Sequence, residues 1–306
     1  MRMTEAISEF GIAKAVEGYA ESTVKGYQWR LNQLSDWLSN PQVDRITLSD
    51  LRDFIYYLRK EYKTRRWDGD ASPLTEASIH GYWKAFRCFW NWLHDDYDLE
   101  NVAQKLKMPR YTLRPIAPYT KEEILMMLEA CDRDAAEHNR STRIRDRAVL
   151  LLLLDTGLRL GELMRLKVRD VDIEGGKITV LPYGRGIKSS GRMVYLGISA
   201  KRAMKKYLEQ IPKQPETSLF SISNDGMRNL VRRIGKRCGV NAWSHKFRHT
   251  FAINYLRNGG DVFTLQRQLG HSTLDMVQHY LAIADTDSQA AHQKASPADR
   301  WQLYAD

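Results

Sequence analysis

Apolar residues recur every three or four positions through the first third of the chain, the spacing of an amphipathic helix. Val24, Tyr27, Leu31, Leu34 and Leu38 share one face of TVKGYQWRLNQLSDWL. Leu51, Phe54, Ile55 and Leu58 repeat the pattern in SDLRDFIYYLRKEY, and Ile79, Trp83, Phe86, Trp90 and Leu93 repeat it after Thr75. Three such stripes predict helices that close a small bundle. The period then stops: MPRYTLRPIAPYT, residues 108–120, carries three prolines and predicts a semi-stiff linker. Helix resumes at a capping box, Thr120 with Glu123. RIRDRAVLLLLLDTG predicts a buried helix ending at Gly157, and RLGELMRLKVRDVD a further helix ending in a turn. KITVL and RMVYL, joined by PYGRGIKSSG, predict a β-hairpin. Helices are expected again after Ser199 and over 224–238, 244–257, 261–269 and 273–283.

These elements predict a mainly α protein with a small β-hairpin or sheet, an α+β chain in two domains. A helical N-terminal domain spans 1–108, a linker 109–118 and a second domain 119–285. A polar tail, 286–306, has Trp301, Leu303 and Tyr304 as candidate anchors. A length of 306 residues suits two cores, and 43% hydrophobic with 27% charged residues is a globular mix. The longest aliphatic run, Ala148 to Leu154, is too short to span a bilayer. The opening MRMTEAISEF has no basic-then-apolar signal pattern, so a cytoplasmic protein without membrane contact is expected. Cys88, Cys131 and Cys238 are scattered and form no CxxC pair, which argues against a disulfide framework or a zinc site. A formal net charge of +10 favours a polyanionic partner, nucleic acid first.

Four segments of the second domain place polar residues in apolar settings. They are Arg159 in DTGLRLGEL, the hairpin's Arg185, Lys188 and Arg192, His245 and Arg248 in SHKFRHTFA, and His271 and Tyr280 in LGHSTLDMVQHY. Taken singly, each reads as an ordinary surface cation, turn or packing residue. Together they form a phosphodiester chemistry set. Two arginines can hold non-bridging oxygens as planar forks, and two histidines can donate to them or move a proton. A lysine can protonate a leaving oxygen, and a tyrosine can attack phosphorus. Such a set needs no metal and no cofactor, because its cations supply the charge stabilisation.

The order and spacing of these residues resemble the tyrosine recombinase (phage integrase) family over about residues 15–285. The resemblance implies a SAM-like core-binding domain followed by an integrase-type catalytic domain. It implies Arg159, Lys188, His245, Arg248, His271 and Tyr280 as catalytic residues, with Glu162 supporting the site from behind. It also implies cleavage and rejoining of double-stranded DNA through a 3′-phosphotyrosyl link and a four-way junction, by a homo-tetramer on paired sites. The sequence names no accessory protein. One departure stands in the hairpin. Gly184-Arg185-Gly186 replaces the GKG found in many relatives, so either Lys188 or Arg185 is the general acid. Candidate DNA contacts are Lys25, Arg30, Lys84 and Arg87 on the first domain's helices, Arg110 and Arg114 in the linker, and Arg185 and Arg192 in the hairpin. A type IB topoisomerase, a telomere resolvase or a DNA-binding regulator that has lost catalysis would share part of this pattern.

Overall fold

A computed structural model of the chain describes residues 1–63, 73–110, 116–133, 140–182, 191–271, 274, 277, 280, 292 and 296–303. Two units emerge, Met1–Arg114 and Pro115–Asp306.

The first unit contains α1 (Met3–Val16), α2 (Glu21–Trp37), α3 (Leu48–Lys60) and α4 (Glu76–Tyr97). The three expected stripes are its core: Leu31, Leu34, Leu51, Phe54, Leu58, Ile79, Phe86 and Leu93 are at most 1% exposed. Thr47 and Thr75 cap α3 and α4, each accepting a backbone N–H of the first turn. No regular stripe of large apolar residues announces α1. Its inward face is Met3, Ala6, Ile7, Phe10, Gly11 and Lys14, at helical spacing, and it packs on α2 and α4.

The second unit is built around α6 (Arg140–Thr156), whose Ala148, Val149, Leu152 and Leu153 are fully buried. α5 (Lys121–Arg133), α8 (Ile198–Leu208) and α10 (Ser244–Arg257) pack on it, and α9 (Asn224–Arg237) packs on α5. The Thr120 and Glu123 capping box is present in both directions, at 2.9 and 3.1 Å. An antiparallel sheet has the order β1 (Val171–Asp172), β2 (Lys177–Val180), β3 (Arg192–Tyr195), with Ile178 opposite Val194 and Val180 opposite Arg192. The expected hairpin strands are β2 and β3, and the two-residue β1 adds an edge. α11 (Val262–Leu269) packs on β3 and α10, and α12 (Pro297–Arg300) lies near the C-terminus.

One expected helix is much shorter than predicted. α7 (Leu160–Leu163) stops after four residues because the next backbone groups pair elsewhere. Leu219 N–H donates to the Leu166 carbonyl at 2.8 Å, and Val168 N–H donates to that of Thr217 at 2.9 Å. The structure thus has the mainly helical, α+β character expected, with a small three-stranded sheet. Among the described residues no helix is long and apolar enough to cross a membrane.

Candidate active site

The site begins where α6 ends. Gly157 adopts a left-handed φ of +59°, and a Cβ there would lie 2.5 Å from the Phe251 ring. This turn frees the Gly157 carbonyl, which accepts from Arg248 Nη1 at 2.7 Å. It also delivers Arg159 to the start of α7. There the Arg159 backbone N–H donates to Glu162 Oε2 at 2.9 Å and its Nη1 to Glu162 Oε1 at 3.1 Å.

α10 supplies His245, Arg248 and His249 at i, i+3 and i+4, one helical face. Arg248 is 1% exposed, and its guanidinium is fully directed. Besides Gly157, Nη2 donates to the Leu269 carbonyl at 2.8 Å and contacts His271 Nε2 at 2.6 Å. α11 ends at Gly270, left-handed with φ +65°, which turns the chain so that His271 enters the site. The unpaired carbonyls at this helix end are taken by arginines. Gln268 accepts from Arg192 Nε at 2.6 Å, and Leu269 accepts from both Arg248 and Arg159.

Behind the two site arginines lies Glu162, 3% exposed. Arg192 grips it with Nη1 at 3.0 Å and Nη2 at 2.7 Å, a bidentate fork. Burial alone would raise the Glu162 carboxyl, but Arg192 and Arg159 overcome it and hold it at about 2. Glu162 is therefore an anion at neutral pH, paired with both Arg159 and Arg192. Arg192, expected on the DNA-facing surface, is instead turned inward. Its side chain is only 5% exposed, and all three guanidinium nitrogens are spent on Glu162 and Gln268.

Tyr280 is 5% exposed in helical backbone, with its ring parallel to His271 at 6.3 Å and tilted to His249 at 5.4 Å. Burial raises its phenol above the ordinary range, against the pull of Arg248 and Arg159. At rest it carries its proton. Burial, then the cations Arg248, Arg159 and Arg192, push His271 down to about 3, so it is neutral. Nε2 faces a guanidinium that can only donate, so the ring proton sits on Nδ1. That Nδ1 is buried and has no partner among the described residues. His245 lies open to solvent at the site's edge, yet crowding by the protein and the charges of Arg248 and Arg159 lower it. Burial and the Arg159 charge push Arg248 down to about 9, still a cation at neutral pH.

His249, not among the residues expected from the sequence, also faces the site. It stands edge-on to His245 at 4.6 Å, and burial with His245 and Arg248 nearby pushes it down to about 4. Its spacing from His245 was the available sign, but a second histidine on a helix reads equally well as packing.

The structure thus brings together Arg159, Glu162, His245, Arg248, His271 and Tyr280. Arg185, Lys188 and Arg114 lie outside the described residues. Among the other candidates, Lys84 and Arg110 are exposed. Lys25 is exposed and paired with Glu21 at 2.6 Å. Arg30 is partly buried beside the Trp29 and Tyr82 rings and donates to the Gly26 carbonyl at 2.7 Å. Arg87 is partly turned to its own fold, donating to the carbonyls of Ala103 and Gln104 at 3.3 and 2.6 Å.

Two family models match the chain: the phage integrase family over residues 119–287, and the phage integrase N-terminal SAM-like domain over 14–96. The chain is 28% identical over 284 residues to tyrosine recombinase XerA of Saccharolobus solfataricus, covering 92% of this chain and 90% of that protein. It is 28% identical over 302 residues to tyrosine recombinase XerC of Leptospira interrogans, covering 94% and 91%. Its fold is similar to that of the Tn1549 transposon integrase solved in complex with transposon right end DNA, with TM-score 0.69, 19% identity, and coverage of 97% and 99%. With the catalytic-domain model matched over more than half its length, the chain belongs to the phage integrase family, the tyrosine recombinases.

Proposed function

We propose that the chain is a site-specific recombinase that cuts and rejoins duplex DNA through a 3′-phosphotyrosyl intermediate. The observation that carries this reading is the meeting of Arg159, Arg248, His271 and Tyr280, from separate segments, around one site backed by a buried Glu162. The Tyr280 oxygen attacks phosphorus, and the bond from phosphorus to the 5′-oxygen breaks. Arg159 and Arg248 hold the non-bridging oxygens as charge builds on them. The carbonyls of Gly157 and Leu269 already aim both guanidiniums, so little reorganisation is needed. His271 acts as a neutral donor through Nδ1–H, because the lone pair on its other nitrogen faces Arg248. His245, neutral and open to solvent, takes the Tyr280 proton.

The hairpin supplies the proton for the leaving 5′-oxygen. We assign this to Lys188 over Arg185, because lysine with a pKa of ~10.4 gives up a proton more readily than arginine above ~12. A 5′-hydroxyl of a partner duplex then attacks the phosphotyrosine and restores the tyrosine. The ester conserves the bond energy, so no ATP, cofactor or metal enters the scheme. Tyr280 lies in its own chain's site, which favours cleavage in cis. Residues 1–108 and 119–285 would each grip the duplex, joined by the 109–118 linker. Four protomers on two sites would complete exchange, in the cytoplasm.

The test is Tyr280→Phe on a nicked suicide duplex. The variant is expected to shift DNA normally in a gel and yield no protein-linked band, where the unaltered chain yields one. A covalent adduct with the variant would overturn the reading.

A further inference from the structure

α10 carries His245 and Arg248, so whatever sets its rotation and its height along its axis sets two groups of the site at once. The residue before the helix, Trp243, makes no side-chain cap. Its backbone is held instead by Tyr119, far away in sequence. The Trp243 N–H donates to the Tyr119 hydroxyl at 3.0 Å, and that hydroxyl donates back to the Trp243 carbonyl at 3.3 Å. The Tyr119 N–H donates to Thr250 Oγ1 at 2.8 Å, two turns further along α10. Thr250 Oγ1 in turn donates to the Lys246 carbonyl at 2.8 Å. The ring between these bonds is 3% exposed, tilted against Phe247 at 4.8 Å, with Lys246 Nζ 4.2 Å above it.

We propose that Tyr119 is a positioning residue for the reaction, locking α10 at positions 243 and 250 and so holding Arg248 and His245 in register with the Gly157 turn and Tyr280. This rests on the recombinase reading above. Hydrophobic filling does not explain the arrangement: a phenylalanine would fill the same space, while the hydroxyl bonds both the N–H and the carbonyl of one residue, Trp243. Burial raises the Tyr119 phenol above its ordinary range, so the hydroxyl keeps the proton it donates. In the sequence Tyr119 directly follows Pro118, the last proline of the Pro-rich linker. Displacements near 1 Å at such a site can cost ~10²-fold in rate.

Two variants test this. Tyr119→Phe keeps the ring and removes the hydroxyl, and Thr250→Val removes the acceptor for the Tyr119 N–H with little change of volume. Single-turnover cleavage is measured at saturating protein on a nicked suicide duplex, in parallel on normal phosphate and on a methylphosphonate at the cut. The neutral methylphosphonate depends less on Arg248. Each variant is expected to slow normal cleavage by about 10-fold, with DNA affinity within about 2-fold, and to slow methylphosphonate cleavage at least ~3-fold less. Unchanged rates, or equal slowing on both substrates, would overturn the proposal, as would failure of both variants to fold, which would make the contact purely structural. The unaltered chain on the same duplex keeps the two readings apart: if it forms no adduct, the recombinase reading fails.

Discussion

In the N-terminal unit the large buried side chains are rings. Phe10 meets Phe89 edge to face at 5.4 Å, Phe89 meets Trp90 at 5.1 Å, and Phe86 meets Trp90 at 6.1 Å with planes at 89°. The catalytic unit has an aliphatic core around α6, and beside it Glu162, Arg248 and His271 are buried. Ring pairs of the first kind add about 0.5–1.5 kcal/mol each beyond burial. Buried ions of the second kind gain little net stability, because removing water from a charge costs about as much as its partner returns. The first interior is mostly apolar packing, with Lys14 its one buried charge among the described residues. The second keeps charges that packing alone could replace, and Arg248 and His271 among its buried polar groups lie in the candidate site.

The largest expected effect separates these two interiors by stability. Trp90→Ala should cost about 3–5 kcal/mol in urea unfolding, through lost burial and a cavity. Glu162→Ala should cost a similar amount for a different reason, since it leaves Arg192 buried and unpaired. The sharper case is Glu162→Leu with Arg192→Met, an apolar replacement of both partners. This pair should regain most of the stability and little of the cleavage. If cleavage returned with the stability, the buried charges would be no more than scaffold.

A somewhat smaller effect is expected of Arg248→Ala, a loss of at least ~10²-fold in single-turnover cleavage with DNA affinity nearly unchanged. Near-normal cleavage by that variant would remove Arg248 from the reaction.

The smallest effect concerns acid. His249 and His271 sit in the folded protein at about 4 and about 3, below the ordinary 6.5, so the unfolded chain takes up protons first. Their contribution is whole above about pH 6.5 and fades as pH falls toward those lower values. Glu162, held at about 2, adds a loss below its ordinary 4.5. In the N-terminal unit His80 is also lowered, but it is only partly buried against Trp83. Thermal melts between pH 7 and 5 should therefore lower a catalytic-unit transition by several degrees more than an N-terminal one. Parallel decline of both would break the contrast.

Legibility in the sequence differed along the same line. The ring-lined stripes of α2, α3 and α4 were plain, because large apolar residues repeat without interruption. α1 was hidden: Ala6, Gly11 and Lys14 occupy half of its buried face, and Ile12 and Val16 stand exposed on the other side. In the catalytic unit, Arg159, His245, Arg248, His271 and Tyr280 were legible as a set of residue types in a familiar order. Arg192 was not. A cation in a hairpin strand looks the same facing water or facing Glu162, and its partner lies thirty residues away in sequence. α7 was read too long because its backbone pairs with the 215–219 segment, which no local period announces.

Gly270 has a consequence for how this gene can drift. Its φ of +65° disfavours any side chain, and a Cβ there would lie 2.9 Å from Arg192 Nη1. A single exchange would therefore strain the turn that delivers His271 and press Arg192 off Glu162 together. Descendants that lose this glycine are expected to keep both helical units while their cutting decays. Such silent relatives should be recognisable from that one codon, before any change reaches the tyrosine.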